Sequence, residues 1–591
     1  MKRKQAKTKP FFDPDEIVTT IHQALWRDFI EAQHVYCLDD SRVLYGFNRQ
    51  VEEFRKKYTS ANGDYDKDQL ELAAFDKFKA VNDHMGRVNS MLSDKLVYSH
   101  AGGWLVGRSY EEKVHLRARA LVRFVLGHFS WEEWFTECMH SGGSSIGVPF
   151  TDTSIQKKNT LPMSATESAE SVMSHYLNDF DYQMKSAIIR NNYDDNSTSE
   201  TYVEWFETTN ASRATTVEKT DEQRRFICVE PTANMFLQQG LMHMMYKRLK
   251  FVGLDVARLP DAHKFLARIG SITGQKSTID WSSASDTCAT ELVNWLLSDD
   301  WLEAIHKVRT PSTVIGGEEI ELNMISSMGN ATTFPLETLI FWAYATSVWL
   351  TIEGKSNSIF PEWEDLQRCS VFGDDCIVPT SIAEEYISFM EGIGFIVNKE
   401  KSYYGSEQFR ESCGGDYLDG HDVRPYCVRA PHNTKKSSLE PWLYIVANSL
   451  LKKYKMYFGE LAYVYEKSLW KVLFKLFRKY HIVIKLVPSD YPDDSGLKLS
   501  HDIERFRNHY PMKLSRIDKS EHGTYRFRYC RFTYKINRRR DDGLTYVKWL
   551  KKAGSPYVEP RLYTPIRRIG GYVVGVGLSS HWDVPVVKQG A

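Results

Sequence analysis

The sequence predicts an α+β fold organised around a small sheet of split βαβ plan, and three observations carry that prediction. Ser277-Thr278-Ile279-Asp280 reads as a short strand ahead of two helical patterns. Cys369-Ser370-Val371-Phe372 and Cys376-Ile377-Val378 flank Gly373-Asp374-Asp375 as strand, tight turn, strand. Phe395-Ile396-Val397 follows a further helical pattern as another short strand.

Residues 1–135 read as mainly helical, with charged and aromatic stretches such as Phe75-Asp76-Lys77-Phe78-Lys79-Ala80. Arg190-Asn191-Asn192 through Ser199-Glu200 is polar and turn-rich, the composition of a loop. After Asp280, a helix from about Asp286 would put Ala289, Leu292, Val293 and Leu296 on one face. A second helix starts near Pro335, a residue suited to a first helical turn. It runs through Leu339 to Ile352, the most apolar stretch of the chain. Broken by Thr346 and Ser347, that stretch is too short to span a bilayer and reads as a buried helix. Ile382, Tyr386, Ile387 and Met390 mark a third helix, closed by Gly392 and Gly394. Strand, helices, hairpin, helix, strand is the plan of a ferredoxin-like sheet. In that plan Asp280 ends one strand beside the Asp374 hairpin, so two carboxylates distant in sequence meet at one edge.

A chain of 591 residues exceeds one core and suggests roughly three to five domains or subdomains. Formal net charge is +0, so any nucleic acid must be held by local basic surface. The 15 Trp, 32 Tyr and 30 Phe supply packing and stacking platforms. Nine Cys without a CxxC pair argue against a zinc module or a disulfide scaffold and fit a reducing cytosol. Met1-Lys2-Arg3-Lys4 is basic, but no apolar run follows, so no signal peptide is expected.

Carboxylates at a turn tip are well placed to hold Mg²⁺ over a substrate phosphate. Joining a nucleotide to an RNA end is an in-line displacement that uses two metals about 4 Å apart. Asp280 and Asp374 are the candidate ligands, with Asp375 in support. The competing reading is a solvated turn and an unrelated Asp. Ahead of the apolar Phe226-Ile227-Cys228-Val229, Lys219 and Arg224-Arg225 form a basic cluster fit for a triphosphate, or a charged hairpin exposed to solvent.

Asp280-Trp281-Ser282-Ser283-Ala284-Ser285-Asp286, Ser326-Ser327-Met328-Gly329-Asn330, Phe372-Gly373-Asp374-Asp375 and Phe409-Arg410-Glu411-Ser412-Cys413-Gly414 occur in this order. With His140-Ser141-Gly142-Gly143 and Glu230-Pro231-Thr232-Ala233-Asn234-Met235, they resemble the RNA-directed RNA polymerase of levivirus-type single-stranded RNA bacteriophages, the catalytic beta subunit of their replicase. The likeness runs from about Phe75 to Arg429. It implies a right-hand polymerase, with residues 1–135 contributing to the fingers and the palm periphery, 136–275 as fingers, 276–430 as palm, and 431–591 as thumb and C-terminal region.

The resemblance implies Mg²⁺ as cofactor, two ions with Mn²⁺ as a substitute, on Asp280, Asp374 and Asp375. It implies that Lys219, Arg224 and Arg225 line the path by which nucleotide enters. Asp286 would help read the ribose 2′-hydroxyl, although on the residues alone it is equally a helix cap. Ser327, Gly329 and Asn330 would form a shifting loop near the ribose, Gly329 because it tolerates backbone angles closed to other residues. Asn330 and Thr333 could bond sugar or base, and an ordinary loop is the alternative. Lys401, better matched than Lys399, resembles a general acid for pyrophosphate. Arg410 would contact a phosphate of the growing 3′ end, or form a buried ion pair with Glu411. Two stretches depart from the family pattern: Val256-Ala257-Arg258-Leu259-Pro260 with His263-Lys264, assigned to the fingers, and Pro335, where an acidic residue is commoner. Tyr525-Arg526-Phe527-Arg528-Tyr529 alternates at strand period, offering a basic face to RNA or a half-buried strand, with a bulge expected near Cys530-Arg531.

The resemblance further implies primer-independent initiation on an RNA template from ribonucleoside triphosphates. The setting would be the cytoplasm of an infected bacterial host, with no membrane association. Implied partners are host translation elongation factors and a ribosomal RNA-binding protein. Two rivals stand at this point. A reverse transcriptase shares the paired aspartates, and a non-catalytic RNA-binding protein with a decayed palm shares the fold.

Overall fold

The computed structural model describes residues 11–34, 40–60, 66–96, 105, 107–192, 204–220, 222–354, 362–498, 513–535, 569–580 and 582. The fold is α+β: long helices enclose several small sheets. The polar loop read at 190–200 lies largely outside the described residues. So does Cys37, and the eight described cysteines are free thiols.

The central sheet forms where the alternation of elements was clearest. Lys276–Asp280 pairs antiparallel with Asp375–Pro379, which pairs antiparallel with Ser370–Phe372. Phe395-Ile396-Val397, expected as a full strand, makes only isolated bridges. Val397 faces Trp281 and Tyr403 faces Thr278, both antiparallel, on the free edge of Lys276–Asp280. Between those bridges residues 398–402 leave the ladder, because their polar groups bond the end of the strand instead.

The helices follow their apolar periodicity. Ala289, Leu292, Val293 and Leu296 are fully buried, yet the helix that carries them is Thr290–Leu296 rather than one starting at Asp286. Ala289 first bridges Met324, and Ala284–Asp286 forms a single 3₁₀ turn. Thr333–Ile352 is buried on nearly all faces, with Pro335 in its first turn. Polar Ser347 is satisfied there by donating to Val114 O at 2.6 Å. Ala383–Gly392 buries Tyr386, Ile387 and Met390 against the same core. No helix among the described residues is long and apolar enough to cross a membrane.

Trp281 pins the sheet from beneath. It is 2% exposed, stacks on Phe341 at 5.5 Å and donates its Nε1–H to Cys376 Sγ. Truncating such a side chain typically costs about 3–5 kcal/mol.

A second sheet carries the basic cluster. Ala211–Glu218 and Arg224–Val229 form an antiparallel hairpin, extended by Ser312–Ile315 and Glu318–Glu321. The first 135 residues do not stay together. Lys67–Leu96 and Tyr110–Leu126 join the central core, whereas Pro14–His34 and Ser41–Glu52 pack with Lys436–Phe458 and Lys467–Lys479 in a separate core. The Leu259–Thr273 helix, assigned with the fingers, lies against the central sheet and the Phe409–Ser412 and Gly415–Leu418 strands. Tyr525–Lys535 pairs one-to-one with Ile569–Ser579 and has no bulge. The partner strand presents Gly575 and Gly577 beneath Tyr529 and Phe527, so the rings fit without breaking register.

Candidate active site

The acidic residues are brought together by the sheet register. Asp280 sits opposite Asp375, and Asp374 occupies the two-residue turn between Phe372 and Asp375. Gly373 takes φ +60° at the first central position, which a type II′ turn requires. Its N–H donates to Thr338 Oγ1 at 2.9 Å, tying the tip to the Thr333–Ile352 helix. A Cβ at position 373 would lie 2.5 Å from Phe334 Cε2, so glycine is required for packing as well as for backbone angle.

The departing segment 398–402 clamps Asp280. Asn398 Nδ2 donates to Asp280 Oδ2 at 2.6 Å and Asn398 N to Asp280 O at 2.8 Å. Asp280 N donates to Ser402 Oγ at 3.1 Å, and Lys401 Nζ stands 4.0 Å from Asp280 Oδ2. A cavity of about 450 Å³ opens over this group. Asp280, Asp374 and Asp286 line it from the sheet side, Lys219, Arg224 and Arg225 from the basic hairpin, and Lys401 from the clamp.

The electrostatics divide into two facing sets. Burial pushes the Asp374 carboxyl up, and the Asp280 charge pushes it further. Burial also raises Asp280, while Lys401, Asn398 and Lys219 pull it back. Opposite them, burial lowers Lys219, and the charges of Arg225, Lys401 and Lys77 add to that lowering. Like charges are crowded on both sides, an arrangement that an incoming anion and divalent cations would relieve. Asp280 and Asp374 present hard oxygen donors to the cavity and fit a hard divalent cation. Among the described residues, no three His, Cys, Asp or Glu side chains gather closely enough to hold a metal by themselves.

Asp286 and Ser327 meet across 41 residues: Ser327 Oγ donates to Asp286 Oδ1 at 2.6 Å and Met328 N at 3.4 Å. Gly329, at φ +121°, lies against the basic strand, where Cys228 N donates to Met328 O at 2.8 Å.

Several predicted residues stand elsewhere. Asp375 does not line the cavity. Its carboxylate accepts from Cys413 N at 3.1 Å, and burial followed by the Asp374 charge pushes it up to about 7. Asn330 is buried and its Oδ1 accepts from Thr332 N and Oγ1, capping its own turn rather than facing the cavity. Arg224 lines the cavity, but its Nε donates to Thr216 Oγ1 at 2.6 Å. Arg410 is fully buried, and its guanidinium donates to the carbonyls of Lys276, Glu407, Phe409 and Gly405. It therefore braces the backbone; no phosphate reaches it, and Glu411 is not its partner.

His263 is likewise structural. Its ring is buried and bridges Ser412 Oγ at 2.9 Å and Ser370 Oγ at 3.0 Å, joining the Phe409–Ser412 strand to Ser370–Phe372, the strand that leads into the acidic turn. Burial holds it at about 4, below its ordinary 6.5. The unfolded chain thus binds a proton that the folded chain refuses, and stability falls as pH drops from about 6.5 towards 4. Between pH 7 and 4.5, native protein should lose about 2–3 kcal/mol relative to His263→Gln, read from urea midpoints. A gap that ignores pH would show the ring to be solvated.

Sequence reasoning missed three residues. Asn398 follows a recognised strand but carries no signature of its own. Lys77 lines the cavity from the distant Lys67–Leu96 helix. Glu337, 4% exposed, lies under the acidic turn, its pKa driven up by burial and then by Asp374 and Asp286. Its Oε2 has no hydrogen-bond partner among the described residues. The period of the Thr333–Ile352 helix, which puts Glu337 on the face that meets the hairpin, was the one available signal.

The model of the "RNA replicase, beta-chain" family matches residues 19–479. The chain belongs to the RNA replicase beta-chain family. The cavity just described is therefore the candidate active site of an RNA-directed RNA polymerase, an enzyme of template-dependent RNA synthesis. This replicase chain is 28% identical over 577 residues to the RNA-directed RNA polymerase subunit beta of Enterobacteria phage SP, covering 93% of this chain and 91% of that one. The beta chain of Escherichia phage MS2 is 35% identical over 216 residues, 36% of this chain and 37% of its own. Among solved structures, the RNA-dependent RNA polymerase of bacteriophage phi12 superposes with a TM-score of 0.37 at 12% identity, over 84% of this replicase chain and 81% of that protein.

Proposed function

We propose that this replicase chain extends RNA by in-line, two-metal nucleotidyl transfer, with Asp280 and Asp374 as the protein ligands of the ions. One observation carries the reading: the two carboxylates line a single cavity of about 450 Å³ together with Lys219, Arg225 and Lys401. Mg²⁺, or Mn²⁺ in its place, would activate the 3′-hydroxyl and neutralise the phosphates there. Asn398 holds the Asp280 carboxylate in one orientation through its 2.6 Å bond. Lys219 and Arg225 neutralise the triphosphate, with Arg224 supporting the strand from which Arg225 projects. Lys401 is placed to protonate departing pyrophosphate. Asp286, with Oδ1 engaged by Ser327, turns its other oxygen to the ribose 2′-hydroxyl. Asp375 and Asn330 support the geometry from outside the cavity.

The strand order favours a ferredoxin-like palm. Residues 395–403, Lys276–Asp280, Asp375–Pro379 and Ser370–Phe372 lie side by side, all antiparallel, as a split βαβ unit would place its fourth, first, third and second strands. On this reading the basic hairpin belongs to the fingers and the C-terminal helices to the thumb, joined by Pro14–Glu52. The family resemblance extends the proposal to initiation without primer, in the cytoplasm of an infected bacterium, alongside host elongation factors and a ribosomal RNA-binding protein.

The test is incubation of the purified chain with RNA and labelled nucleotides, with and without bacterial extract. Ribonucleotide incorporation should require Mg²⁺ or Mn²⁺ and stop with a chelator. Preference for deoxynucleotides would assign reverse transcription instead, and RNA retention without incorporation would favour a binding protein.

A further inference from the structure

One wall of the cavity comes from a helix outside every site motif. Leu70, Ala73, Ala74, Lys77 and Val81 of Lys67–Leu96 line it, spaced as one helix face. Between them, Phe78 stacks flat on Phe226, with centroids 3.7 Å apart and planes at 11°. That contact fixes the helix against the strand that bears Arg225. The two lysines of this helical turn have different fates. Lys79 is committed to Glu318 at 2.9 Å, whereas Lys77 is exposed to the cavity and makes no ion pair with the described residues. Its charge acts on both neighbours in the site, lowering Lys219 and lowering Asp286 against the effect of burial. It therefore stands between the triphosphate cations and the ribose-side carboxylate. A lysine aimed into a cleft already holding Lys219, Arg225 and Lys401 gains Coulomb energy only when an anion arrives.

We propose that Lys77 is a phosphate-binding residue for the incoming ribonucleoside triphosphate, completing with Lys219 and Arg225 a cradle supplied by two separate elements. This rests on the cavity being the nucleotide site, and the test separates the two claims. Lys77→Ala, Lys77→Gln, Lys77→Arg and Arg225→Ala would be compared in the form in which the wild-type protein is active. KM and kcat for a ribonucleotide on a fixed template, RNA retention without nucleotide, and thermal midpoint would be measured. Loss of one charged hydrogen bond to phosphate should raise KM about tenfold in Lys77→Ala and Lys77→Gln, with kcat within about twofold. Lys77→Arg should recover most of the loss, and RNA retention and melting should not move. An unchanged KM, a fall in kcat alone, or weakened RNA retention at unchanged KM would overturn the proposal, the last assigning Lys77 to template. If Arg225→Ala also leaves KM unmoved, the nucleotide reading of the cavity falls; if only Arg225→Ala raises it, Lys77 alone is wrong.

Discussion

Asp374→Asn is expected to lower ribonucleotide incorporation by about a thousandfold or more while RNA retention stays within about twofold. Asparagine keeps the size and hydrogen-bonding shape of the side chain and removes its charge. In the folded protein that charge is opposed by burial and by Asp280. The variant should therefore fold at least as stably as the parent, with an equal or higher thermal midpoint. Loss of synthesis with gain or retention of stability separates a ligand from a scaffold residue. Unimpaired synthesis by Asp374→Asn would remove Asp374 from the chemistry.

Gly329→Ala should have the second-largest effect, for a steric reason. A Cβ on Gly329 would lie 1.9 Å from Cys228 O, and φ is +121°. The atom in the way is backbone, so relief requires the basic strand and the loop before Thr333–Ile352 to part. That breaks the Cys228 N–Met328 O bond and shifts both Arg225 and Ser327. A cost of about 3 kcal/mol or more and near-complete loss of incorporation are expected. Gly316 provides the control: its φ is +60°, and a Cβ there meets nothing within 4 Å. Gly316→Ala should cost only about 1 kcal/mol, the backbone penalty alone. Equal urea midpoints for the two variants would show that contact with Cys228 does not matter.

The parts of the site legible in the sequence were those encoded by short-range pattern. A glycine turn between apolar runs gave the Asp374 hairpin, and helical spacing gave Leu292, Tyr386 and the buried stretch after Pro335. Placing Asp280 beside them needed only the pairing rules of a split βαβ unit. Where the chain departed from expectation, the deciding partner was one that no motif or periodicity marks. Arg410 read as a phosphate contact or as the partner of Glu411; its burial against the carbonyls of Lys276, Gly405, Glu407 and Phe409 depends on how that segment packs on the central sheet. The alternation around Cys530 suggested a bulge, and the glycines that make one unnecessary come some forty-five residues later. Asn330 read as a ribose contact, yet the nearest donors to its carbonyl were those of its own Thr332. Lys77 carried no motif at all, because what distinguishes it from Lys79 is the direction its helix face takes.

The smaller core draws on both ends of the chain. Asp28, in the first helix, accepts hydrogen bonds from Tyr454, Ser468 and Leu469, and Phe47 packs on Tyr454 and Phe458. During translation the earliest helices must therefore leave the ribosome with an uncovered greasy side and wait some four hundred residues for their cover. The candidate active site, whose lining residues lie between 70 and 401, is synthesised ahead of the helices that complete the smaller core. A chain ending before about residue 430 would carry the cavity residues yet leave the apolar faces of Pro14–His34 and Ser41–Glu52 without the helices that cover them.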